Sequence, residues 1–172
     1  MPLLIQNREL GCIHSTAVLF EKYPHLQESA KSFRSRPLVD VDPKCLLYVH
    51  QREFAATTPA DKFVSVIGSD DATTCHLVVL QHTGSGAACL AHCDGSSTWS
   101  EVPLFVKAVA SLSTFCKEGR FELHIVGGFN DDSRRSHELS LDILVRSDAS
   151  TNRSMYFFIF LGVFYGEKIV SP

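Results

Sequence analysis

The sequence predicts an α+β fold, a mixed or antiparallel sheet with packed helices, on three observations. Short apolar runs that alternate with polar residues recur between turn residues, as strands do. A single long stretch, "SSTWSEVPLFVKAVASLSTFCK" at 96 to 117, repeats its apolar positions at helical spacing. The length of 172 residues is enough for one substantial core and short for two.

The elements follow in order. Residues 16 to 33 place Val18, Leu19, Leu26, Ala30 and Phe33 at roughly helical intervals, and Pro24 divides them into two short helical pieces. The segment 34 to 44, with two prolines and mixed charge, reads as a connector. A strand is expected at Cys45 to Phe54, and a second at 62 to 67 ending at Gly68. "CHLVVLQ" at 75 to 81 and "AACLAHC" at 87 to 93 flank the flexible "HTGSG", a hairpin pattern that puts Cys75 and His92 near the same end of adjacent strands. In the long helix Thr98 and Glu101 are spaced as a capping box, with Val102, Phe105, Val109, Leu112 and Phe115 or Cys116 on one face. A strand at 120 to 129 ends in a Gly pair, and 133 to 145 reads as a further helix. "SMYFFIFLGVFYG", 154 to 166, is almost unbroken apolar sequence, shorter than the roughly 20 residues that span a bilayer. It reads as a buried strand, or as a tail that is an aggregation hazard for want of a packing partner.

Composition limits the partners. Net charge is −3 with the 16 Lys and Arg scattered, so no basic stripe for a phosphate backbone is present and nucleic acid is not an expected partner. No membrane partner is expected either. The first ten residues lack the features of a secretory signal, which points to a cytoplasmic or nuclear protein. The six cysteines are then expected as thiols rather than a disulfide framework. Pro2 after Met1 favours removal of the initiator and leaves a secondary amine at the start.

The reactive chemistry concentrates in residues 69 to 95. A thiol attacks carbonyl carbon well only as thiolate, which needs a nearby base, and the hairpin brings His92 to Cys75. Ser69 could accept a hydrogen bond from the far nitrogen of His92 and fix its tautomer. Backbone N–H groups of the turn 68 to 74, with that of Cys75, are candidates for holding an oxyanion. The plainer reading of Cys75, a small apolar residue buried at a strand start, stays open on spacing alone. A zinc site from Cys89, His92 and Cys93 with Cys75 or His76 fails on geometry, because Cys89 and Cys93 lie about 13 Å apart along one strand. The acidic pairs Asp70, Asp71 and Asp131, Asp132 read mainly as solvated turns. "HTGSG" and "IVGGF" are too short to claim a phosphate site, and His50, His82, His124 and His137 read as surface or structural residues.

The stretches "IGSDDATTCHLVVLQHTGSGAACLAHCDG" at 67 to 95, "EVPL" at 101 to 104 and "HIVGGFNDD" at 124 to 132, with "MPLL", "LLYV" at 46 to 49 and "QRE" at 51 to 53, closely resemble the N-terminal asparagine amidohydrolase family. The resemblance covers about the first 140 residues. It implies an enzyme that hydrolyses the side-chain amide of an amino-terminal Asn to Asp and ammonia, feeding the N-degron route to ubiquitin-dependent degradation. Its partners would be proteins or peptides with N-terminal Asn, and it would act as a monomer with no metal and no cofactor. The family's nucleophile matches Cys75.

A wider likeness, to the cysteine deamidase fold of chemoreceptor glutamine deamidases and cytotoxic necrotizing factor toxins, implies the same fold here, incomplete at the C-terminus. It makes His92, 17 positions after Cys75, the catalytic His, and Ser69 the third, hydroxyl-bearing residue. Reading the free α-ammonium falls to Asp70 or Asp71. After about residue 145 the chain no longer resembles the family. Residues 1 to 145 are therefore expected as the N-terminal part of an amidohydrolase domain and 146 to 172 as a divergent hydrophobic tail, as in an alternative transcript. The competing expectation is a catalytically inactive truncated isoform that at most binds weakly.

Overall fold

The computed structural model describes residues 3–37, 39–128, 132–149, 155–160 and 169–171. In chain order the elements are β1 (Leu3–Ile5), β2 (Arg8–Glu9), α1 (Thr16–Lys22), α2 (His25–Arg34), β3 (Leu46–Tyr48), β4 (Phe54–Thr57), β5 (Val66–Ser69), β6 (His76–His82), β7 (Ala88–Cys93), α3 (Thr98–Leu112), β8 (Phe121–Gly127), α4 (Arg135–Ala149), β9 (Met155–Phe160) and β10 (Ile169–Ser171). Seven strands form one mixed sheet in the order β2-β1-β9-β8-β6-β7-β4, and three form a second in the order β10-β5-β3. The class is α+β, as the sequence predicts.

The hairpin β6–β7 lies within the large sheet, between β8 and the edge strand β4, and its register sorts the side chains. Val78 opposes Ala91 and Ile125, and Leu80 opposes Cys89 and Leu123. This row meets Val102, Phe105, Val106 and Val109 of α3 and Leu139, Ile143 and Leu144 of α4 in the main core. The alternate row faces the other way. Val79 and its partner Leu90 pack with Val49, just after β3, and Ile67 of β5, and Leu77 packs with Val126, Phe33 and Ala72. Period-two alternation thus gives the sheet two apolar faces, one under helices and one under the small sheet.

Several boundaries differ from the sequence reading, each for a local reason. Tyr23 closes α1 by donating its N–H to Leu19, and Pro24 begins α2, so the two helical pieces separate at the proline. The strand expected at 45 to 54 is two strands in different sheets. A turn at His50–Glu53 divides them, with Arg52 in the left-handed region at φ 68° and the Glu53 carboxylate accepting the His50 N–H. The strand expected at 62 to 67 starts at Val66 and continues through Gly68 to Ser69, because the Asp61 carboxylate accepts the N–H groups of Phe63 and Val64 and holds them in a turn. At α3 the cap is Ser97 rather than Thr98, and the Ser97 hydroxyl donates to Glu101 instead of capping a backbone N–H.

Helix α4 runs across residue 145 to Ala149. Strand β9 lies parallel between β1 and β8, with Phe121 through Val126 registered on Met155 through Phe160, and β10 lies antiparallel to β5. The apolar run at 155 to 160 therefore has strand partners on both sides. Pro2, Phe129, Asp131 and residues 161 to 166 of that run lie outside the described residues. Among the described residues no helix is long and apolar enough to cross a membrane.

Phe105 is fully buried between α3 and the sheet. Truncation of a large buried aromatic leaves a cavity that its neighbours fill only partly, so Phe105→Ala should cost about 3–5 kcal/mol of stability in urea unfolding followed by circular dichroism. A loss below about 1 kcal/mol would contradict this account of the core.

Candidate active site

The two sheets meet at one end of the hairpin, where β5, β6 and β7 bring together residues far apart in sequence. Ser69 ends β5 and is buried; His92 lies in β7 opposite Leu77 and is 4% exposed. The Ser69 Oγ lies 2.9 Å from His92 Nδ1 and 2.6 Å from the carbonyl oxygen of Val49. A hydroxyl has one proton. The Val49 carbonyl can only accept, so Ser69 donates to it and must accept from His92 Nδ1–H. That assigns the tautomer and leaves the lone pair on Nε2, which is buried and has no hydrogen-bond partner among the described residues.

Cys75 is buried immediately before β6. The side chain of its neighbour His76 turns to the helix side, where Nε2 meets Ser140 Oγ of α4 at 2.8 Å. Strand alternation, if extended back one residue beyond the start of β6, would put Cys75 on the side of Leu77 and His92. In that register it would be the diagonal neighbour of His92, a relation with backbones about 7–8 Å apart.

Acidic groups surround this pair. Asp94, two residues after His92, accepts from the Gln51 side chain at 2.9 Å and from the Ser96 N–H and hydroxyl at 2.8 and 2.6 Å. Burial raises its pKa, but the bonds from Ser96 and Gln51, with Arg52 nearby, outweigh this and hold it below the ordinary carboxylate value. Asp70 accepts the Tyr48 hydroxyl, which pushes Tyr48 up to about 12, with burial and the charges of Asp70 and Asp71 adding to the effect. Asp71 adopts a left-handed backbone at φ 54°, turning the chain between β5 and Cys75.

The electrostatics follow. Burial, then the Asp94 carboxylate, push the Cys75 thiol above its ordinary value. Burial pushes His92 down, against the opposing pull of Asp94, Asp70 and Asp71. Both shifts favour the uncharged forms, the thiol of Cys75 and the imidazole of His92.

Of the five residues singled out from sequence, Ser69 and His92 are hydrogen-bonded, Asp70 and Asp71 lie in the turn after β5, and Cys75 is buried at the end of that turn, immediately before β6. Cys89 and Cys93 belong to the helix-packed core, where burial pushes both thiols up, Cys89 to about 12. The sequence reading missed Asp94, which looks like the first half of an ordinary Asp-Gly turn, and Gln51, which holds it.

A family model described as protein N-terminal asparagine amidohydrolase matches residues 36–161. The human protein N-terminal asparagine amidohydrolase is 47% identical over 148 residues, which is 86% of this chain and 48% of the human protein. The mouse protein of the same name gives the same identity and coverage. The Arabidopsis thaliana one is 30% identical over 112 residues, 64% of this chain and 31% of its own. The chain thus spans about half the length of the mammalian relatives it matches.

The Asp94 carboxylate disfavours the Cys75 thiolate and favours the His92 imidazolium, so its neutralisation lowers both pKa values. Asp94→Asn should shift the pH midpoint of Cys75 alkylation, followed by peptide mass spectrometry, to lower pH. A midpoint that stays in place or rises would contradict the assigned electrostatics.

Proposed function

The chain belongs to the protein N-terminal asparagine amidohydrolase family, and on that premise we propose that it hydrolyses the side-chain amide of an amino-terminal Asn in proteins or peptides, with Cys75 as nucleophile. One observation supports the site assignment: the Ser69 hydroxyl, which donates to the Val49 carbonyl, holds His92 with Nε2 unprotonated.

The reaction then runs in two halves. His92 Nε2 takes the Cys75 proton as the sulfur attacks the amide carbon, so charge is created only when substrate is in place. The oxygen of the tetrahedral intermediate is held by N–H groups of the 70 to 75 turn. His92 gives its proton to the departing nitrogen, ammonia leaves, and a thioester joins the substrate to Cys75. Water attacks that thioester with His92 as base, and the proton returns to the Cys75 sulfur as the Asp product leaves. Ser69 holds the imidazole throughout in the tautomer that the first step requires.

Selectivity for a chain terminus requires a group that reads the free α-ammonium, and the carboxylates of Asp70 and Asp71 beside His92 suit that role. In this reading the chain shares the cysteine deamidase fold of the glutamine deamidases and necrotizing-factor toxins, a likeness that rests on a turn before the Cys and a His on the next strand. In this reading the product, an N-terminal Asp, enters the N-degron route, and the enzyme works in the cytoplasm or nucleus.

The test is ammonia release from a short peptide that begins with Asn. The chain should release ammonia, Cys75→Ala should abolish release, and acetylation of the peptide's amino terminus should reduce it sharply. Asp70→Asn with Asp71→Asn should narrow the difference between free and acetylated peptide. No release from a chain shown to be folded would overturn the proposal in favour of an inactive product, and full selectivity in both Asp variants would remove those residues from substrate reading.

A further inference from the structure

Both residues flanking Cys75 are tied to α4. Ser136 Oγ donates to the carbonyl oxygen of Thr74 at 3.0 Å, and Ser140 Oγ donates to the Ser136 carbonyl at 2.9 Å. With its single proton so used, Ser140 accepts from His76 Nε2–H at 2.8 Å. Ser136, Ser140 and His76 are each at most 3% exposed, and bonds among buried polar groups are costly to break. The third side is closed by the end of β8. A Cβ on Gly127 would come within 2.8 Å of the Cys75 carbonyl oxygen, and one on Gly128 within 2.8 Å of the His76 ring. Both glycines have positive φ, 117° and 92°, which gives a second reason for glycine there.

The orientation of one peptide follows. The Thr74–Cys75 bond is trans, so its C=O and N–H point in opposite directions. Ser136 draws the C=O toward α4, and the Cys75 N–H is thereby aimed away from α4, toward the side that carries His92. We infer that Ser136, seconded by Ser140 through His76, is a positioning residue that fixes the Thr74–Cys75 peptide so that the Cys75 N–H points at the developing oxyanion. The role rests on the amidohydrolase reading; the bracket itself does not.

Acylation and alkylation of the same sulfur separate this role from a merely structural one. Attack on p-nitrophenyl acetate creates an oxyanion, whereas attack on iodoacetamide displaces iodide and creates none. Both are followed at the Cys75 peptide by mass spectrometry in the 172-residue chain, with the thermal midpoint as a control. Ser136→Ala should slow acylation by about tenfold or more while alkylation stays within about twofold and keeps its pH midpoint. Ser136→Thr, which keeps a hydroxyl, should restore acylation. Ser140→Ala should give the same split to a smaller degree, and it serves alone if Ser136→Ala does not fold. Acylation and alkylation that fall together, or acylation that does not fall, would overturn the inference. Because neither reagent is an Asn substrate, a chain that shows the split yet releases no ammonia would retain the bracket and lose the proposed function.

Discussion

The site depends on one buried hydrogen bond, from His92 Nδ1–H to Ser69 Oγ, which among the described residues is a polar link between two sheets that also meet through the apolar cluster of Val79, Leu90, Val49 and Ile67. Ser69 belongs to the small sheet and His92 to the large one. The Val49 carbonyl takes the only proton that Ser69 has, and this leaves His92 no freedom of tautomer. A hydrogen bond in this setting contributes about 1 kcal/mol net, yet an orphaned buried partner costs more. Packing of the sheets and chemistry at the site are therefore set by the same contact.

A second constraint is electrostatic. Burial favours the thiol form of Cys75 and the imidazole form of His92, and Asp94 pulls both pKa values upward. A preformed thiolate would be exposed to oxidation and adventitious alkylation, since the thiolate is the reactive form. An uncharged thiol and imidazole store no charge until a proton passes from one to the other. Asp94 is in turn fixed by Gln51 from the turn between β3 and β4 and by Ser96 before α3, so the charge beside the thiol is held from two elements.

The parts of the fold with a clear period were legible in the sequence. "CHLVVLQ" and "AACLAHC" alternate cleanly around a Gly-rich turn, and the hairpin is where that pattern puts it. Pro24 marks the break between α1 and α2 for the reason proline breaks any helix. The split between β3 and β4 was not legible, because "VHQREF" contains no Gly, Pro, Asn or Asp and its turn depends on Arg52 taking a left-handed backbone that arginine seldom adopts. Asp61 displaced the start of β5 through side-chain bonds that alternation does not register. At the site, hairpin register puts the turn before β6 at the same end as His92, while the bonds of Gln51 to Asp94 and of Ser136 and Ser140 to the residues flanking Cys75 are long-range. Ser136 lies 62 positions from Thr74 and Ser140 64 from His76, separations that no local pattern reports.

The tautomer of His92 is the most direct test. With ¹⁵N-labelled histidine, the ring nitrogens of His92 distinguish a protonated from a bare nitrogen by chemical shift near neutral pH. In the resting chain Nδ1 should carry the proton and Nε2 should be bare, with this preference lost in Ser69→Ala. A resting His92 that carries its proton on Nε2, or on both nitrogens, would leave Cys75 without a base and would contradict the account at its centre.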